Sequence, residues 1–220
     1  MTRAASLRTA TTPGEALAVV ALCFGWPILL SVQAVMAGFP VRQGGFDDLG
    51  ALSIVIYEIA FALVAVTLLR SRGYDVASLR PRPTWVDSGL GLVLALAAGM
   101  AGMLAMAAFS AGQPEQPIAD MMRRSTIGAP MVLLMAVVNG TFEEVFLLGF
   151  LMRGLKERGL SIALGTMMLV RVSYHLYQGP LGACYVFGVG LVFGLFYART
   201  GRLWPAVLAH MMWDIVPFLR

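Results

Sequence analysis

Seven apolar runs dominate this chain, at about 15–37, 48–70, 87–110, 129–153, 159–178, 181–199 and 203–219. Each is close to the ~20 residues a helix needs to cross the hydrocarbon of a bilayer. The composition agrees with a membrane protein. Of the 220 residues, 59% are hydrophobic and only 13% charged, where a soluble domain carries about 25% charged residues. The predicted fold is all-α: a polytopic transmembrane helix bundle of about seven spans, with six to eight as the range.

In such a protein the net charge of +4 reports loop asymmetry, not a nucleic-acid footprint. With the N-terminus inside, eleven of the sixteen Lys and Arg residues fall on cytoplasmic segments, against Arg42, Arg123, Arg124 and Arg220 on the other side. This predicts a cytoplasmic N-terminus. Arg3 and Arg8 before the first run could introduce a signal peptide, but that run exceeds a signal core, so an uncleaved first helix is expected. Cys23 and Cys184 lie within apolar runs and read as small core residues. Ser78–Trp85, "SLRPRPTW", reads as a proline-stiffened connection that separates the first two helices from the rest. The expected division is 1–128, holding three N-terminal spans and their loops, and 129–220, a four-helix catalytic core, within one integral membrane domain.

A bilayer filters polar residues severely, so those at depth are informative. They are Glu58, Asn139, Glu143, Glu144, Arg171, His175, His210 and Asp214. Both histidines of the chain are among them. Arg171 precedes His175 by four residues and Asp214 follows His210 by four, so each pair shares one helix face. Asn139 precedes Glu143 in the same way. Three runs thus carry ionisable faces, "NGTFEE", "RVSYH" and "HMMWD", and burying them against one another is the economical solution. Carboxylates packed with two imidazoles supply a general base, a second proton carrier and donors for an oxyanion.

These segments resemble the CPBP (Abi) family of intramembrane proteases, which includes the type II CAAX prenyl proteases. The family pattern is a Glu-Glu-x-x-x-Arg helix, a Phe-x-x-x-His helix and a late His-x-x-x-Asn/Asp helix. Here the three appear as "EEVFLL" (Glu143–Leu148), "RVSYH" (Arg171–His175) and "HMMWD" (His210–Asp214), and "GLVFGLFYARTGRLWPAVLAH" is also similar. The resemblance covers roughly residues 130–217. It implies an intramembrane endopeptidase in which Glu143 and His175 activate water, His210 and residue 214 stabilise the oxyanion, and Glu144 supports them.

Leu148 stands where the family has arginine, one turn after Glu144, and Arg171 where it often has phenylalanine. Arg171 is therefore expected to reach across and pair with Glu144. Residue 214 is aspartate, which cannot donate to an oxyanion when ionised, so Asp214 is expected to orient His210 instead. No cofactor is expected. If the protein were metal-dependent, Glu143, His175 and His210 would be the zinc ligands. Glu58 has no partner visible in sequence and reads as an interhelical residue. Trp26, Trp85, Trp204 and Trp213 read as interface anchors.

The expected partners are a membrane-associated protein or peptide substrate and the lipid bilayer. The 15 to 1 ratio of Arg to Lys suggests a GC-rich bacterium, hence the bacterial inner membrane. The alternative reading is a catalytically inactive scaffold of the same family, or a proton-coupled carrier built on the same Glu/His/Asp cluster.

Overall fold

The computed structural model describes residues 7–39 and 45–219. Arg3, Arg42 and Arg220, which entered the orientation count, lie outside them. The described residues form eight helices: α1 (Pro13–Met36), α2 (Asp48–Ser71), α3 (Trp85–Ala107), a short α4 (Pro117–Arg123), α5 (Ala129–Arg158), α6 (Leu160–His175), α7 (Pro180–Thr200) and α8 (Trp204–Ile215).

Their starts follow familiar rules. Thr12 and Glu15 form a capping box before α1, and Asp47 and Thr84 accept from N–H groups in the first turns of α2 and α3. Pro180 opens α7 where a missing N–H costs nothing, and Gly201 closes it at φ 65°.

Five of the seven expected spans are met by helices of sufficient length. α1, α2, α3, α5 and α7 are long and apolar enough to cross a membrane, whereas α6 and α8 have 16 and 12 residues. At 1.5 Å per residue these two reach about 24 and 18 Å, short of the ~30 Å hydrocarbon. The apolar runs at 159–178 and 203–219 each include a 3₁₀ turn, Leu176–Gln178 and Val216–Phe218, which the hydropathy pattern does not distinguish from helix. The run at 159–178 also ends at Gly179, with φ 92°.

α3 packs on α7 and α8, α5 on α8 and α2, and α6 on α7 and α1. Small residues allow the close contacts. A Cβ on Gly190 would lie 2.7 Å from Arg171 Cδ, and one on Gly194 2.5 Å from Leu164 Cδ1. The Gly190-x-x-x-Gly194 pair therefore makes room for α6, and its first member for the arginine itself.

One expectation changes here. Trp213 is no interface anchor: its indole N–H donates to the Ala95 carbonyl at 2.9 Å, and its ring fills the space that a side chain at Gly99 would need. The Ser78–Trp85 connection starts on a turn that is fixed to α5. Arg153 donates to the Ser78 carbonyl at 3.0 Å, to its hydroxyl at 2.7 Å and to Tyr74 Oη at 2.9 Å. Cys23 and Cys184 are free thiols, the first buried.

Candidate active site

α5 changes pitch at the residues that matter. It is α-helical to Glu144 and continues as a π-helix over Val145–Met152. Such widenings are rare and concentrate at functional sites. Leu148 lies in this wide turn with no exposed surface, so the i,i+4 relation that would let a side chain there meet Glu144 in an α-helix no longer applies. α5 supplies no counter-ion to its own carboxylate.

The counter-ion comes from α6. Arg171 Nη2 donates to both oxygens of Glu144, at 2.7 and 2.8 Å, with 2% of the arginine side chain exposed and none of the glutamate's. The expected cross-helix contact is present, and Arg171 does not run out to a headgroup. Its guanidinium carbon stands 5.8 Å from the centroid of the Phe193 ring, and its Nη1 lies 3.8 Å from Glu143 Oε2. A buried carboxylate without such a partner carries a desolvation penalty of several kcal/mol.

His210 of α8 completes the group. Its Nδ1 is 2.6 Å from Glu144 Oε1, which leaves Nε2 directed to Glu143 Oε2 at 3.8 Å and Asp214 Oδ1 at 3.6 Å. Asp214 stands beside His210 as expected, but the short contact to the ring is made by Glu144. Asp214 is held instead by Asn139, whose Nδ2 donates to Oδ2 at 2.9 Å and lies 3.5 Å from His210 Nε2. Asn139 thus ties α5 to α8 rather than serving Glu143, its neighbour one turn on.

His175 differs from the expectation. Its Nδ1 donates to the Arg171 carbonyl at 2.8 Å, and among the described residues no hydrogen bond or ion pair joins it to a glutamate. The residue that meets Glu143 is Tyr174, whose hydroxyl donates to Oε2. Tyr174 is fixed by stacking on Phe24, at 5.1 Å between centroids, and by its carbonyl accepting from Ser31 Oγ at 2.6 Å. The sequence reading does not single out Tyr174. The available signal is that a tyrosine inside an apolar helix brings a hydroxyl that needs a partner.

The zinc alternative is also rearranged. The donors that lie within 4.8 Å of one another are Glu143, Glu144 and His210, and His175 is not among them.

A cleft of ≈ 1010 Å³ opens over this cluster, with Glu143, His175, His210, Asp214, Asn139 and Tyr174 on its wall together with Glu58 of α2. Glu144 is not on that wall. The adjacent glutamates thus separate by environment: Glu143 faces the cleft, and Glu144 is sealed behind it between Arg171 and His210.

Residues 125–216 match the family described as type II CAAX prenyl endopeptidase Rce1-like. Over these helices the chain is similar to that family. The match takes in the whole of the last four helices and with them Asn139, Glu143, Glu144, Arg171, Tyr174, His175, His210 and Asp214, but not Glu58 of α2. No curated protein and no solved structure matches the chain. The family acts on membrane-associated proteins, and five helices able to span a bilayer agree with an integral membrane protein.

Proposed function

We propose that the protein is an intramembrane endopeptidase with Glu143 as general base. The observation that carries this is the unlike setting of the two glutamates. Glu143 lines the cleft, held by a hydroxyl and close to His210 Nε2, whereas Glu144 is neutralised by Arg171 and withdrawn from the cleft.

Glu143 takes a proton from water, and the hydroxide adds to the carbonyl carbon of the peptide, whose π electrons move to oxygen. His210, as the imidazolium with Nδ1–H on Glu144, donates Nε2–H to the oxyanion, and Asn139 donates its second amide N–H. Glu144 on Nδ1 plays toward His210 the part that an aspartate plays toward a triad histidine. Where the family pattern has asparagine or aspartate, position 214 is aspartate here, and Asn139 brings a carboxamide to the same place from α5. The proton that Glu143 took is returned to the leaving nitrogen, either directly or by way of Nε2 of His175, whose Nδ1–H is committed to a backbone carbonyl and which lines the same cleft. The C–N bond then breaks, giving a carboxylate and an amine.

The step needs no metal. Glu143, Glu144 and His210 could converge on a cation, but both Glu144 oxygens are bound to Arg171 and the same guanidinium lies 3.8 Å from Glu143. A divalent ion there would meet a fixed positive charge, so this donor set does not fit zinc. The arginine distribution supports a cytoplasmic N-terminus, and the dominance of arginine over lysine supports the bacterial plasma membrane.

The test is cleavage of a quenched apolar peptide by detergent-purified protein. Glu143→Gln lowers turnover by about 10² to 10⁴-fold with the melting temperature kept, and a strong chelator leaves the wild-type rate unchanged. Equal rates in wild type and variant would remove the general-base role, and a rate abolished by chelation would bring zinc back.

A further inference from the structure

Glu58 stands in the middle of α2 and is 5% exposed, yet its Oε2 is without a hydrogen-bond partner, and among the described residues no ion pair reaches it. The other buried carboxylates of the site all have donors: Tyr174 for Glu143, Arg171 and His210 for Glu144, Asn139 for Asp214. Glu58 lines the same cleft as Glu143, Asn139 and Asp214.

Its depth follows from the helix starts. The Gly128 N–H donates to Asp48 Oδ1 at 2.7 Å, which sets α2 and α5 level where they begin. Glu58 is ten residues past Asp48 and Asn139 ten past Ala129. At 1.5 Å per residue both stand about 15 Å from that level, and Glu143 about 6 Å deeper. Glu58 is therefore roughly one helical turn from the general base along the cleft.

Two further observations bear on its role. α2 lies outside residues 125–216, so Glu58 is not part of the matched segment that holds the cluster. The walls that α1–α4 contribute to this cleft are largely apolar, with Phe24, Trp26, Met103, Met106 and Ile118. An unpaired carboxylate on an apolar wall is costly by itself, and what satisfies it best is a positive charge with N–H donors.

We propose that Glu58 is a specificity residue that receives the ammonium or guanidinium of a lysine or arginine side chain, carried by the substrate about one helical turn from the scissile bond. The basic side chain enters the cleft along its apolar stem and places its charged head on the carboxylate. The proposal rests on the reading of the cleft as a peptide site, and binding tests it separately from turnover.

The experiment uses detergent-purified full-length protein carrying Glu143→Gln, so that nothing is cleaved, and pairs of short fluorescent apolar peptides that differ only by lysine or norleucine at one scanned position. Anisotropy is read with Glu58 intact, with Glu58→Gln and with Glu58→Leu. At one position the lysine peptide binds at least about tenfold tighter than its norleucine twin. Either Glu58 variant removes that preference and leaves the affinity for the norleucine peptide unchanged.

A lysine preference that survives both variants overturns the proposal. So does Glu58→Gln binding every peptide normally while Glu58→Leu weakens all of them alike, the pattern of a neutral hydrogen-bonding group. Binding of the peptides with no lysine preference at any position overturns the Glu58 role and leaves the peptide cleft standing. No binding by any peptide removes both.

Discussion

α2 and α5 run side by side from a common level, and each carries carboxylates into the bundle, but their surroundings differ. In α5, 56% of the apolar window is buried inside the protein; in α2 it is 22%. A carboxylate on α5 has protein on most sides, and α6 and α8 supply Tyr174, Arg171 and His210 to its two glutamates. α2 leaves most of its surface outside the bundle, and Glu58 lines the cleft with no donor to its Oε2 among the described residues. Hydrophobic surroundings are common to both. What differs is whether neighbouring helices bring matching polar groups, so one set of charges holds the bundle together and the other is left to a ligand.

The largest effect should come from breaking the satisfied set. Arg171→Leu leaves the Glu144 charge buried without its partner, and we expect a loss of about 3–5 kcal/mol, read as a fall in melting temperature in detergent. Adding Glu144→Leu to the same chain should restore most of it, because a pair of apolar residues in place of a buried ion pair is often neutral. A single variant as stable as wild type would show that the pair is not holding α6 to α5.

Next in size is Gly190→Ala, whose new methyl would stand 2.7 Å from Arg171 Cδ. Overpacking of this kind costs roughly 1–3 kcal/mol, and here it also shifts the guanidinium, so turnover should fall with stability. Activity that stays at the wild-type level would mean that the arginine tolerates displacement.

Glu58→Leu should do the reverse of Arg171→Leu. With no partner left behind, the melting temperature stays level or rises, within about 1 kcal/mol. A large loss would mean that α2 depends on this carboxyl as α5 depends on its own, and the contrast between the two helices would be gone.

The smallest effect belongs to an exposed cluster outside the spans. Arg124, then Arg123, hold the carboxyl of Asp120 below the usual carboxylate range. With a depressed folded value, the stabilisation is complete above that range and lost only as pH falls through the lowered value. Solvent and salt screen these groups, so Asp120→Asn should shift the melting temperature least of the four, and what shift exists should fade in acid.

Much of the site was legible as a list of residues. Asn139, Glu143, Glu144, His175, His210 and Asp214 stand out because hydrocarbon excludes such groups, and spacing of four shows which share a face. The contact between Arg171 and Glu144 could also be anticipated, since Leu148 leaves Glu144 without a partner and Arg171 is the one arginine or lysine in the interior of a run rather than at its end. The remaining pairings were not legible. Glu144, not Asp214, meets His210 Nδ1; Tyr174, not His175, meets Glu143; and Asn139 reaches Asp214 on another helix.

The sequence by itself therefore determined the solvent, the all-helical class and the set of polar residues that must be buried together. All three follow from composition and from periodicity within single helices. Tertiary structure decided who meets whom, because that depends on how each helix is rotated and how deep it sits. The π-helical widening after Glu144 resets the rotation of α5, and the turns at 176–178 and 216–218 shorten α6 and α8 within runs of unbroken hydropathy. The place of Glu58 was settled in the same way. Only the level start of α2 and α5, fixed by Asp48 and Gly128, puts that carboxyl on the wall of the cleft beside Asn139 and a turn from Glu143.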